Sequence, residues 1–262
     1  MTTPADSANL YKILLPGRLP CHGGSGAWPP PGEWRQEAGP LRPCEAGTLH
    51  LCGVEDLPAW LVQGGEIWEA EADGAVVVGH WKVGCLRARL VEAVGVLTRE
   101  VIDAVAAEAI RLCCAVVRRR LARDWQGDGR PEAALQAAEA VAAALVGGAA
   151  ADVAASASAA AASASAAGDA AWVGESVAGA AALAAGDAAL VAKDAAWVAA
   201  RVAGDAARDV GAAVGVAARD AGRAAGDAGD AARRWLGGRL LAHLAGDAPP
   251  VDYAAVAAGW VA

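Results

Sequence analysis

Between residues 132 and 247 the chain contains no Pro and no Thr, and its only aromatic residues are Trp172, Trp197 and Trp235. Gly168, Gly186, Gly204 and Gly222 are spaced 18 residues apart, and Asp follows three of the four. An α-helix advances about 100° per residue, so this spacing spans about five whole turns and returns each position to the same face. Counted from Asp187 along an unbroken helix, Asp169, Asp194, Asp205, Asp209, Asp220, Asp227 and Asp230 project within an arc of about 80°. On the opposite side lies a stripe of Ala, including Ala171, Ala182, Ala189, Ala196, Ala207 and Ala218. Nothing in that stripe exceeds a methyl group, so another helix backbone can approach closely.

A free helix of this composition is excluded by its glycines. Ten Gly lie between 168 and 229, and at about 1 kcal/mol each relative to Ala they cost on the order of 10 kcal/mol. Ion pairs such as Asp205 with Arg208, Asp220 with Arg223 and Asp230 with Arg234 return only about 0.2–0.5 kcal/mol apiece. The segment must therefore be packed. Gly-Asp can also punctuate, with Gly ending one helix and Asp capping the next. The favoured expectation for residues 131–248 is an all-α, Ala-rich repeat of helical hairpins or a small solenoid. One long helix completed by a partner is the alternative, and the same Ala face suits self-association of two copies.

Upstream the composition changes. Residues 10–97 hold the Pro-Gly-rich turns, most of the β-branched alternation and five of the ten Trp. "GTLHLC" reads as a strand, "VEDLPAWL" as a short helix and "EIWEAEADG" as a strand with Ile67, Glu69 and Glu71 on one face. "AVVVG" and "KVGCLRARLVEAVG" read as further strands, so residues 1–97 are expected to form a small α+β domain. Thr98 is a candidate N-cap for an amphipathic connecting helix within 98–130. Ile102, Val105, Ala109, Leu112 and Val116 form its apolar stripe. "QGDGRP" stops that helix, Pro131 suits the start of the next, and residues 249–262 form a C-terminal tail.

The net charge of −8 argues against a nucleic-acid groove, which needs clustered cations. Arg118, Arg119, Arg120 and Arg123 are expected at a solvated helix end. No cationic start followed by an apolar run opens the chain, so a cytoplasmic protein with reduced cysteines is expected. A membrane span over 140–167 is not expected, because Ala and Ser are weakly apolar and Asp152 sits in the middle.

The stretches "YKILLPGRLPCHGGSGAWPPPGEW", "LRPC", "TLHLCGVEDLPAWL", "IWEAEADG" and "RARLVEAV" together resemble an uncharacterised domain of bacteria, especially actinobacteria, and their phages. The likeness covers roughly residues 10–97. "AIRLCCAVVRRRLARDWQGDGRPEAALQAAEAV" is similar to the opening of an Ala-rich helical family regarded as immunity proteins of bacterial toxin systems. Asp128, Arg130 and Pro131 match its turn, although this chain carries Gly where those repeats prefer Ala. The resemblance implies neutralisation of a toxin by binding and supplies no catalytic residue.

Several clusters bear on chemistry. Cys21, Cys44, His50 and Cys52 would make a Cys3His zinc set, although the spacing is irregular; packing of these side chains in core and turns is the favoured reading. Cys21 and His22, as neighbours on an extended chain, point to opposite sides. His50 and Cys52 are two apart and share a face if extended, as a thiol-imidazole pair requires. Glu69 and Glu71 read as exposed strand carboxylates rather than an acid-base pair, and "CHGGSG" as a tight turn lacking the Lys of a nucleotide loop. Cys113 and Cys114 read as core, and His80 and His243 stand unaccompanied. The leading function is non-enzymatic binding of another protein, a toxin or assembly partner, without a cofactor, nucleic acid or membrane. Trp172, Asp194, Trp197, Asp205 and Asp209 are the candidate contacts. A zinc or small enzymatic module using His50 and Cys52 is the alternative.

Overall fold

The computed structural model describes residues 9–21, 24–42, 47–79, 81–124, 129–147 and 229–260, together with scattered helical residues between 152 and 166. Trp172, Asp194, Trp197, Asp205 and Asp209, with the Gly-Asp repeat around them, lie outside the described residues, as do His22, Cys44 and His80.

The N-terminal part is α+β, as its patterning requires. Six antiparallel strands are described: β1 (Leu10–Leu15), β2 (Leu19–Pro20), β3 (Trp34–Gln36), β4 (Leu49–Leu51), β5 (Glu66–Gly79) and β6 (Lys82–Val96). Their order is β2-β1-β5-β6-β3, with β4 also on β6. Tyr11 and Cys52 exchange backbone hydrogen bonds of 2.8 and 3.0 Å, so β4 returns to β1 and the run β1-β5-β6-β4 closes into a small ring. Closure removes the exposed edges that an open sheet would carry.

Closure needs curvature, and β-bulges supply it. The pairing of β5 with β6 shifts register between Ile67 and Trp68, between Trp68 and Ala70, and between Asp73 and Val76. At the last, three steps on β5 oppose two on β6, and Gly74 there adopts a φ of +83°. "EIWEAEADG" and "AVVVG" are therefore not two strands but one: Gly74 bends the strand without ending it.

Side chains divide across the ring. Leu14, Trp28, Leu49, Leu51, Ala70, Val76, Cys85, Ala88 and Leu90 pack together as one cluster. The other faces contribute Tyr11, Ile13, Cys52 and Ile67 to a larger cluster shared with the helices and with Leu57 and Leu61 of the segment between β4 and β5. Burial alternates along β4, with Leu49 and Leu51 in the first cluster and Cys52 in the second, as a two-residue period demands.

Helix α1 (Arg99–Asp124) starts where Thr98 predicts. The Thr98 Oγ1 accepts from the Val101 N–H at 3.3 Å, satisfying one of the donors that every helix start leaves unpaired. Ile102, Val105, Ala109, Leu112 and Val116 are all buried, as are Cys113 and Cys114. α2 (Arg130–Gly147) packs against it. The Arg cluster is solvated as expected, with Arg119 and Arg123 exposed, and Arg118 half-buried beside α2. The Arg118 guanidinium bridges Glu132 and Glu139 of α2, with contacts of 2.9 Å to each. α3 (Gly229–Ala245) packs on the 3-10 helix Val54–Ala59, and α4 (Tyr253–Ala258) lies against α1. The Asp252 side chain caps α4 by accepting from Ala255 N at 3.1 Å. α1, α2, α3 and α4 all share the larger apolar cluster with the sheet. No helix among the described residues is long and apolar enough to cross a membrane.

Candidate functional site

Where β4 meets β1, the ring opens into a pocket of about 70 Å³ lined by Tyr11, Lys12, Ile13, His50, Leu51, Cys52, Trp60 and Lys82. β1 contributes Lys12, the one charged residue in "LYKILL". Its Nζ donates to the His50 carbonyl at 2.9 Å and stands 5.5 Å from the centre of the Trp28 ring. On the other side, Lys82 opens β6, with its Nζ 5.5 Å from the Trp60 ring centre. Trp60 is held in turn, its indole Nε1 donating to Trp81 O at 2.8 Å. Trp81 has a φ of +64°, a left-handed conformation uncommon for a bulky side chain, and it occupies the tight hairpin between β5 and β6.

The electrostatics are cationic. Burial lowers the pKa of the Lys12 ammonium, because an apolar setting disfavours the charged form. The His50 imidazole is also lowered, by burial first and then by the positive charges of Lys82 and Lys12. The thiols respond oppositely. Burial pushes Cys52 up to about 12 and Cys85 up to about 11, and Cys21 rises for the same reason. The Cys52 Sγ donates to Tyr11 O at 3.6 Å and the Cys21 Sγ to Ile13 O at 3.3 Å.

Of the expected Cys3His set, His50 and Cys52 line one pocket, and Cys21 lies close enough to influence Cys52; Cys44 is outside the described residues. Among the described residues no group of three or more His, Cys, Asp or Glu side chains is arranged to hold a metal ion. A thiol-imidazole mechanism fits poorly here. Burial holds the Cys52 proton well above the ordinary thiol range, the reverse of what a nucleophilic thiolate needs. Glu71 is an exposed strand carboxylate as expected, paired with Arg89 at 2.6 Å.

Two features escaped the sequence reading. Lys12 is not singled out by the sequence, and the signal was its position between apolar neighbours on both sides. His243 is not unaccompanied: its Nε2 lies 2.9 Å from Glu108 Oε1. Arg239 grips the same carboxylate in bidentate fashion at 2.6 and 2.7 Å and donates to Pro249 O at 2.9 Å. Glu108 and Arg239 are both buried. These contacts span 131 and 135 residues of chain, so no local pattern announces them. Compared with protein families, characterised proteins and solved structures, the chain matches none of them.

Proposed function

We propose that this protein acts in the cytoplasm by binding another protein rather than by catalysis, in an immunity-like or phage-defence accessory role. In this reading residues 131–248 form an all-α repeat that presents Trp172, Asp194, Trp197, Asp205 and Asp209 to the partner. The observation that carries the non-enzymatic part is the state of Cys52. It is buried, its pKa lies far above neutrality, and its proton is already directed at a backbone carbonyl. A nucleophilic cysteine needs the reverse, a lowered pKa and access to solvent. The zinc alternative would likewise require Cys21 and Cys52 to surrender their hydrogen bonds and lose their protons.

The test uses the full chain and the product of the neighbouring open reading frame. That product is expected to co-purify with it at a fixed ratio. The double variant Trp197→Ala, Asp205→Ala should lose the partner with its far-UV circular dichroism unchanged, while Cys52→Ala should retain it. Loss of function in Cys52→Ala, or stoichiometric zinc that disappears in that variant, would replace the binding reading with the alternative.

A further inference from the structure

α2 and α4 both pack on α1, and α1 forms the floor of a groove of about 640 Å³ bounded by the two. The α1 residues lining it are Arg111, Ala115, Arg118, Arg119 and Ala122, which fall within an arc of about 100° on one helical face. Ala143 joins them from α2, and Val251 and Ala254 from the lead-in and first turn of α4. The walls are tied down by their own contacts. Arg118 is bound to Glu139 of α2 at 2.9 Å, Arg111 stands beside the Tyr253 hydroxyl, and the Asp252 side chain caps α4. The floor between them is lined with methyl groups, and Ala122, Ala143 and Ala254 are exposed.

We propose that this groove docks an acidic amphipathic helix of the partner protein, with small apolar side chains on the Ala floor and carboxylates toward Arg111 and Arg119. The proposal rests on the reading that this protein works by binding another, and it names the part of the partner that is gripped. Shape selects a helix over a small molecule. A small ligand needs about 70–90% of its surface enclosed, which a trough with an exposed floor does not provide, whereas a helix buries only one face in such a groove. From Arg111 to Ala122 the floor rises about 16 Å, matching about three turns of an occupant laid alongside. A floor of methyl groups lets the incoming backbone approach closely. Charge selects the sign. The lining carries three guanidiniums and only two carboxylates, an excess of positive charge in a chain whose net charge is −8. Both carboxylates are already engaged, Glu139 by Arg118 and Asp252 by the α4 cap. Acidic flanks are therefore attracted here and basic ones repelled. Because the walls are set before the helix arrives, little ordering cost falls on binding.

Fluorescence anisotropy of the full chain with two labelled synthetic helices tests the inference. Each peptide has about 18 residues, long enough to hold a helix when end-capped and Ala-rich, with Ala and Leu along one face; one carries Glu on its flanks and the other Lys at the same positions. The acidic peptide should bind one-to-one and about tenfold or more tighter than the basic one at low ionic strength, with the preference shrinking as salt rises. Arg119→Glu, at an exposed position, should reverse the preference, and Arg119→Lys should keep it. Ala122→Trp should fill the floor and weaken the acidic peptide at least tenfold, with urea unfolding reporting that both variants fold. Binding of neither peptide, equal binding of the two, or native affinity in both Arg119→Glu and Ala122→Trp would overturn the proposal. So would a native dimer that Ala122→Trp converts to monomer in sedimentation equilibrium, since a second copy would then be the occupant. The peptides do not involve the neighbouring gene product, so a partner that co-purifies while both peptides fail removes the groove and leaves the binding reading standing.

Discussion

Cys52 and Cys85 show what enclosure does to a single ionisable group. Each thiol sits in an apolar setting that resists the thiolate, so each holds its proton to about 12 and about 11 against an ordinary value of 9.0. A group whose folded pKa lies above its unfolded one contributes stability that is fully present below the unfolded value. That contribution is lost as the pH rises through the folded value. Stability should therefore decline between about pH 9 and about pH 12, where unfolded chains release thiol protons that folded chains retain. Unfolding free energies from urea titrations across this window should fall less steeply in Cys52→Ala and Cys85→Ala, by up to about 1.4 kcal/mol per pH unit for each thiol removed. Equal slopes in all three proteins would show that these thiols are not enclosed as described. The apolar neighbours of Cys52 could be foreseen from "TLHLCGV"; the degree of enclosure could not, because it depends on α1 and on the 3-10 helix covering that face.

Between elements, α3 comes very close to the 3-10 helix. A methyl group added at Gly237 would fall 1.9 Å from the Val54 carbonyl oxygen, whereas one added at the adjacent Gly238 would meet nothing within 4 Å. Intrinsic propensity favours both Gly→Ala changes by about 1 kcal/mol. Packing reverses the sign at one of them. Gly237→Ala should destabilise by about 2 kcal/mol, since backbone must move to admit the methyl, while Gly238→Ala should be neutral or mildly stabilising. Urea unfolding of the two variants decides the matter, and equal effects would mean that α3 does not rest on Val54. Small residues along the repeat are expected to permit close helix approach, and the same physics operates here between α3 and a segment of the N-terminal part. Helix α1 was legible throughout, because its apolar stripe, its Thr98 cap and its stop signal agree. The single bent strand β5 was not, because a glycine in a bulge and a glycine in a turn look alike in sequence.

For the whole molecule, the Glu108–Arg239–His243 cluster clasps the C-terminal helices to α1. Arg239 also reaches Pro249 O, and Trp235 meets Tyr253 and Trp260 edge-on at 6.1 and 6.3 Å. Glu108→Ala should cost about 3–5 kcal/mol, because it leaves the Arg239 cation buried beside no counter-charge. Hydrogen exchange should then rise first in 229–260, and unchanged stability would show the clasp to be incidental. The sequence by itself determined local matters: the strand character of β4 and β6, where α1 begins and which of its faces is buried. These follow from periodicity, capping chemistry and composition, each contained within a turn or two of chain. Tertiary structure alone decided the rest. It brought His50 and Lys82 to one pocket across 32 residues of sequence, closed the ring through Tyr11 and Cys52, and placed Arg239 on Glu108. Such pairings depend on how bulges bend two long strands and how helices stack on them, and the energy of a long-range contact leaves no mark on the neighbours of either residue.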